Sequence, residues 1–254
     1  MNPIIIMPCL DMKDGRVVKG VRFVELRDAG DLSACARTYD EAGADELALL
    51  DIAATREGRQ TMLDAVRRVA DACSLPLTAG GGVNDCFAAE AVLEAGAKRV
   101  SVASAAFRRP ETVREMVRRF GEDTVTVAID IDRNDALPSG YEVFVNGGQE
   151  PTGADALDHA KRMADFGVSR LLPTSKAADG ALTGYDLPFL RMLVKSAPSA
   201  VVASGGAGTM DHFLEAAEAG ASALLAASVF HFGAIAIPEL KDYLEKRGIA
   251  VQRR

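Results

Sequence analysis

LTAGGGVNDCFAAEAVLEAGAKRVSVAS at residues 77–104 and VVASGGAGTMDHFLEAAEAGASALLAAS at residues 201–228 are the two stretches on which the fold turns. Offset by 124, they share nine identities in 28 positions: Ala79/Ala203, Gly81/Gly205, Gly82/Gly206, Glu94/Glu218, Ala95/Ala219, Gly96/Gly220, Ala97/Ala221, Ala103/Ala227 and Ser104/Ser228. Ordinary residue frequencies give about two matches by chance. Each stretch reads as a strand, a Gly-Gly turn, a helix, a Gly-Ala turn and a second strand closing on Ser. The matches gather at strand ends rather than in the core, which points to retained function beyond a record of duplication and shared packing. The chain divides into two similar halves, roughly 1–123 and 124–254.

Outward from this repeat, apolar and β-branched runs recur at Ile4 to Leu10, Glu46 to Asp51, Leu75 to Ala79, Arg99 to Ala103, Thr124 to Asp130, Arg170 to Thr174, Ala200 to Ser204 and Ala223 to Ala227. Helical spacing of apolar residues fills the intervals near 31–42, 59–73, 86–95, 110–120, 153–166, 186–196, 210–219 and 234–247. Strands that read as continuous apolar runs are buried on both faces, which requires a parallel sheet covered by helices. Eight such β/α units in 254 residues predict an α/β protein with a closed (β/α)8 barrel, the TIM barrel; a doubly wound open sheet is the alternative. No linker interrupts the pattern, so residues 1–254 read as one barrel domain.

Composition narrows the function classes. The 36 acidic and 29 basic residues give a net charge of -7, with the bases scattered apart from short pairs such as Arg67-Arg68. That disfavours nucleic acid and anionic membranes as partners. No apolar run approaches a membrane span, and the apolar start at Ile4-Ile5-Ile6 stops too soon for a signal segment, so a cytoplasmic location is expected. Cys9, Cys35, Cys73 and Cys86 form no metal-ligand or redox spacing and read as reduced, mostly buried thiols. No metal site and no nicotinamide or other cofactor is predicted.

In such a barrel, chemistry sits at the C-terminal ends of the strands. The turns at Gly81-Gly82 and Gly205-Gly206 let backbone amides approach a ligand, and a serine follows 22 residues later in each half, at Ser104 and Ser228. Amides, a hydroxyl and a helix N-terminus suit a phosphate dianion, and two copies suit an elongated bisphosphate. Asp11 and Asp130 close the first strand of each half and are predicted to face each other as general acid and base. A lone strand-end Asp is more often a cap; the symmetry reverses that preference here. Asp51 closes the second strand without a counterpart, which suits a structural or substrate-orienting role. Lys19 sits in a Gly-flanked segment, 14–20, read as a loop long enough to fold over the mouth, where meeting an anion and facing solvent are both open to it. His159 and His212 fall within helices and His231 lies beside Phe230 and Phe232, poor positions for chemistry.

These residues resemble a known family, the cyclase subunit of imidazole glycerol phosphate synthase from histidine biosynthesis. The resemblance runs essentially end to end, most specifically in CLDMKDGRVVKG (9–20), LRDAGD (26–31), GADELALLDI (43–52), the triple glycine at 80–82, VAID (127–130), ASGGAGTMDHFLEA (203–216) and AASVFHF (226–232). It implies a (β/α)8 lyase that takes ammonia and a phosphoribulosyl-formimino aminoimidazole carboxamide ribotide, a bisphosphate. The products implied are imidazole glycerol phosphate and an aminoimidazole carboxamide ribotide. It also implies Asp11 and Asp130 as the acid/base pair, and phosphate contacts around Gly82, Ser104, Gly206, Ala227 and Ser228. A glutaminase subunit would dock at the opposite end and send ammonia through the barrel.

Against the family pattern, Ile5 stands where an Arg is expected, Lys98 where an acid is, Arg99 where a Lys is and Arg170 where a Glu is. Three cations and one apolar residue at the partner face are expected to splay toward solvent unless Glu46 or a partner's acid compensates them. At the mouth, Ala103 replaces an Asn. Ala177, Ala178 and Ala181 replace polar residues of a loop in which Asp179 and Gly180 keep the pattern. A sugar-phosphate isomerase of the sister type and a non-catalytic glutaminase-binding barrel are the other readings.

Overall fold

The computed structural model describes residues 3–13, 15–21, 24–52 and 59–253, and side chains at these positions except 19–21, 24–29 and 59. Its strands are β1 (Ile5–Lys13), β2 (Arg16–Val21), β3 (Val24–Gly30), β4 (Leu47–Asp51), β5 (Leu77–Gly80), β6 (Arg99–Val102), β7 (Val125–Arg133), β8 (Tyr141–Val145), β9 (Glu150–Asp155), β10 (Arg170–Ser175), β11 (Ala200–Ala203) and β12 (Ala223–Ala226). Its helices are α1 (Leu32–Glu41), α2 (Arg59–Ala72), α3 (Cys86–Glu94), α4 (Ser104–Arg108), α5 (Pro110–Phe120), α6 (Ala156–Asp165), α7 (Leu187–Ser196), α8 (Met210–Glu218), α9 (Ser228–His231) and α10 (Ile237–Glu245).

Eight strands pair in parallel in the ring order β1, β4, β5, β6, β7, β10, β11, β12, and β12 returns to β1. The molecule is therefore a closed (β/α)8 barrel, and its eight strands fall where the apolar runs predict them. Successive strand residues point to opposite faces. On β1, Met7 and Cys9 join Ala48, Leu172, Val202, Ala223 and Leu225 inside the ring, whereas Ile6 and Leu10 join the larger core between strands and helices.

Two additions were not expected. Segment 14–20, read as a loop, is instead largely strand β2, which pairs antiparallel with β1 and β3; Asp14 lies outside the described residues. The second half answers with β8, antiparallel to β7, and β9, antiparallel to β8, so the helix expected from 153 begins only at Ala156. Each half carries its hairpin directly after its first barrel strand.

The sequence repeat is a conformational repeat. Ala95 and Ala219 cap α3 and α8 with φ, ψ of -72°, -7° and -71°, -8°. Gly96 and Gly220 follow at φ 113° and 97°. A Cβ on Gly96 would stand 2.7 Å from Ala70 Cβ, and one on Gly220 would stand 2.8 Å from Val194 Cγ1. Ala70 and Val194 are themselves 124 apart, so the turn packs on the same point of the preceding helix in both halves. Gly96→Ala and Gly220→Ala should each lower unfolding free energy by about 2 kcal/mol, from the left-handed backbone and the clash together. The two losses should add, because the sites lie on opposite sides of the ring. Urea denaturation of both single variants and the double variant checks this.

Candidate functional site

In the ring, β1 and β7 have three strands between them in either direction, so their C-terminal ends oppose each other across the mouth. Period-two alternation carries Asp11 inward above Cys9, and Asp130 inward above Ala128. Both carboxylates are half-buried. Asp11 Oδ1 accepts a hydrogen bond from the Cys9 thiol at 3.2 Å. Asp130 lies in register with Thr174 of β10 and Phe144 of β8. Burial pushes its pKa up to about 6, with the Asp179 carboxylate pushing the same way, while Lys176 and the Gly148 amide oppose both. Sequence reasoning missed Lys176; the signal for it is its place two residues beyond inward-facing Thr174. Asp179 and Gly180 follow in the same loop, half-buried, with the Asp179 amide bonded to the Ser175 carbonyl at 2.9 Å. Asp51 ends β4, packed against Gly81, consistent with a supporting place at the rim.

A quarter-turn round the rim stand the candidate phosphate residues. Ala103 and Ala227 precede Ser104 and Ser228 with similar φ, ψ, -113°, -97° and -116°, -78°. The helices that begin at these serines have five and four residues, so their dipoles are small, and an anion at this rim would have to be held by the amides and hydroxyls. The halves differ in access. Gly82 is exposed, and nearby Asn84 Oδ1 is buried with no hydrogen-bond partner. Gly206 is buried, its carbonyl accepting from the Gly184 amide at 2.8 Å where the loop after β10 crosses it. Ser104 Oγ accepts from the Asn146 amide at 2.9 Å, which ties the β8–β9 turn to this rim. The Lys19 side chain lies outside the described residues.

The histidines are occupied elsewhere. His159 is buried edge-on to Phe107 with its pKa pulled down to about 4 by burial. His212 Nδ1 accepts from the amides of Gly208 and Thr209 at the start of α8. His231 Nδ1 lies 3.4 Å from the Tyr39 hydroxyl. Of the cysteines only Cys9 is buried; Cys35, Cys73 and Cys86 are half-buried, correcting the expectation of mostly buried thiols.

At the opposite end, the cations divide: Glu46 compensates Arg99 and Arg170, the exception the expectation allowed, and Lys98 is exposed. Arg170, 9% exposed, forms a bidentate pair with Glu46, and Arg99 Nη1 lies 3.3 Å from Glu46 Oε1. Burial pulls the Arg99 pKa down, and Glu46 resists that pull. Glu46 and Arg170 are 124 apart on opposed strands, so equivalent positions of the two halves carry opposite charges and meet across the base. Only Lys98 is exposed, and Ile5 packs half-buried against the apolar interior. Between base and mouth, Thr78, Ser101 and Thr126 point inward from β5, β6 and β7; Thr78 Oγ1 and Thr126 Oγ1 are buried without a hydrogen-bond partner.

Fold and mouth together define a class: a (β/α)8 barrel with two opposed strand-end carboxylates and a duplicated Gly-Gly and Ser pattern between them. Within that class the chain belongs to the histidine biosynthesis protein family, whose pattern matches residues 5–236, and that family consists of biosynthetic enzymes. Among the described residues no helix is long and apolar enough to cross a membrane.

Two outcomes follow. Asp130 has a folded pKa of about 6 against an ordinary 3.8, so between these values the native state holds a proton the unfolded chain has lost. Its stabilising contribution is full below about pH 4 and is lost as pH rises through about 6. Asp130→Asn should therefore gain on the order of 2 kcal/mol at pH 8 and nothing at pH 3.5, read by denaturation at both pH values. Glu46→Gln strands one buried and one half-buried guanidinium group and should cost about 3–5 kcal/mol in the same assay.

Proposed function

We propose that this protein is the ammonia-using cyclase of histidine biosynthesis. It would convert the phosphoribulosyl-formimino aminoimidazole carboxamide ribotide to imidazole glycerol phosphate and aminoimidazole carboxamide ribotide. The amides near Gly82 and Gly206, with Ser104 and Ser228, hold the two phosphates, Asp179, Gly180 and Ala227 line the rim, and Lys19 is the candidate cation of the hairpin. The substrate is thereby stretched between Asp11 and Asp130. Incorporating ammonia requires a base that removes protons from nitrogen, and releasing the ribotide requires an acid that returns one. A carboxyl with a pKa near 6 serves in both directions at neutral pH.

A sister isomerase shares the paired aspartates and the two phosphates, so the mouth alone does not separate the two activities. What supports the cyclase is the inner wall. Two buried hydroxyls without partners, Thr78 and Thr126, each carry a desolvation penalty of about 1–3 kcal/mol. They stand above a charged cluster at the base, and an enzyme loading and releasing everything at the mouth has no use for them. A small polar reactant moving up the barrel gives them a partner. The base cluster of two arginines and one glutamate keeps an excess positive charge, which repels ammonium and admits ammonia only in neutral form.

A glutaminase subunit remains the proposed partner at that end, with an altered contact. A glutaminase adapted to an acid at position 98 meets Lys98 instead and is repelled. Turnover with free ammonium salt is therefore expected alongside weak association with such a glutaminase, and Lys98→Asp should strengthen that association. Pull-down and glutamine-dependent turnover measure both, and tight, efficient coupling by the unmodified chain would overturn the altered contact.

With the bisphosphate ribotide and ammonium, followed by ultraviolet absorbance, Asp11→Asn and Asp130→Asn should each lower kcat by about two to four orders of magnitude. Either variant retaining activity within about threefold removes that residue from the chemistry. Turnover of the preceding ribotide without ammonia would favour the isomerase.

A further inference from the structure

Lys176 is held in a way that no part of the proposed chemistry has yet used. Arg170, Leu172 and Thr174 alternate along β10, with Leu172 in the barrel interior, and the same period carries Lys176 inward at the rim. Its amide donates to the Ile131 carbonyl at 2.9 Å, extending the β10–β7 ladder one step past the strand. Phe144 lies directly opposite Asp130 in the antiparallel β7–β8 pair, so ring and carboxyl share a face. The Lys176 ammonium stands 3.7 Å from the centroid of that ring, a geometry that favours a charged amine.

The β8–β9 turn completes the clamp. A Cβ on Gly148 would stand 3.2 and 3.3 Å from Cγ and Cδ of Lys176, so the turn lies against the lysine stem. Gly148 takes φ +74°, which favours glycine there, and its amide hydrogen-bonds the Asp130 carboxylate. The same turn is fastened to the candidate phosphate rim through Asn146 and Ser104.

We propose that Lys176 is a positioning residue of this site: gripped by Phe144 and Gly148, it keeps a fixed positive charge beside Asp130 and so keeps that carboxyl able to release its proton. The proposal rests on the reading of Asp130 as an acid/base. Among the described residues, the charged groups facing Asp130 are Asp179 and Lys176 from the β10 loop, and Glu142 of β8 lies within electrostatic reach of Lys176. One cation thus acts on two carboxylates, Asp130 and Glu142, while Asp179 opposes it at Asp130. Neighbouring carboxylates in a half-buried site push a proton onto one of their number. Without the ammonium Asp130 holds its proton to higher pH, remaining an acid while failing as a base.

Lys176→Met keeps the stem and removes the charge; Lys176→Arg keeps the charge; Lys176→Gln is the fallback if the methionine variant misfolds. A carboxyl-carbon NMR titration of Asp130 on the intact protein should show the midpoint rising by about one pH unit in the neutral variants and staying near the parent value in Lys176→Arg. The pH profile of ribotide turnover should move with it, with rescue by arginine. A folded neutral variant whose Asp130 midpoint moves by less than about 0.3 unit overturns the proposal. So does a moved midpoint with an unmoved rate profile. If the parent turns over no ribotide, the cyclase reading falls on that result alone, while the NMR midpoint still decides the electrostatic claim.

Discussion

Every inward-pointing side chain of a closed eight-strand ring faces the same narrow space. Most of that space is filled with apolar side chains from Met7, Leu172, Val202 and their neighbours. A polar group left inside costs free energy unless it finds a partner, and Thr78 Oγ1 and Thr126 Oγ1 find none in the structure. The barrel divides into a charged base, a wall with hydroxyls on β5, β6 and β7, and a mouth bearing two carboxylates. The site is a consequence of ring closure, because closure places Asp11 opposite Asp130 and Glu46 opposite Arg170.

The two halves share their backbone but not their electrostatics. Turns, caps and short helices recur at an offset of 124 with nearly the same dihedral angles. The two aspartates nevertheless meet different neighbours: a thiol beneath Asp11, a lysine and a second carboxylate beside Asp130. In the proposed reaction, this symmetric frame with unequal surroundings would let two like groups do opposite work, one giving a proton while the other takes one. The rim is unequal too, open at Gly82 and covered at Gly206.

Much of the frame was legible in the sequence, since buried parallel strands read as apolar runs and the repeat marks the rim. The hairpins were not legible. Residues 16–21, 24–30 and 141–155 mix charges and glycines, and β2 and β8 pair as strands because β1 and β7 run past the ring and offer free edges. The base was legible only as alternatives, splayed cations or compensation by Glu46, because Glu46, Arg99 and Arg170 are distant in sequence and only ring closure brings one carboxylate between two guanidinium groups. Lys241 shows the same limit. It is 3% exposed and bonded to Asp45 and to the Gly43 and Gln252 carbonyls, partners that only the fold brings to it. Lys176 escaped because the apolar run predicts a strand ending at Thr174, whereas the ladder continues one step past Ser175 and carries the alternation to the lysine.

The most direct measurement is a crystal structure of the Asp11→Asn protein with the bisphosphate ribotide bound. The account predicts one phosphate against the amides near Gly82 and Ser104, bound more weakly for want of a polar side chain at Ala103. It predicts the other near Gly206 and Ser228, with the ribulosyl carbons between positions 11 and 130. A ligand held by one phosphate only, or lying away from the line joining the two aspartates, would contradict it.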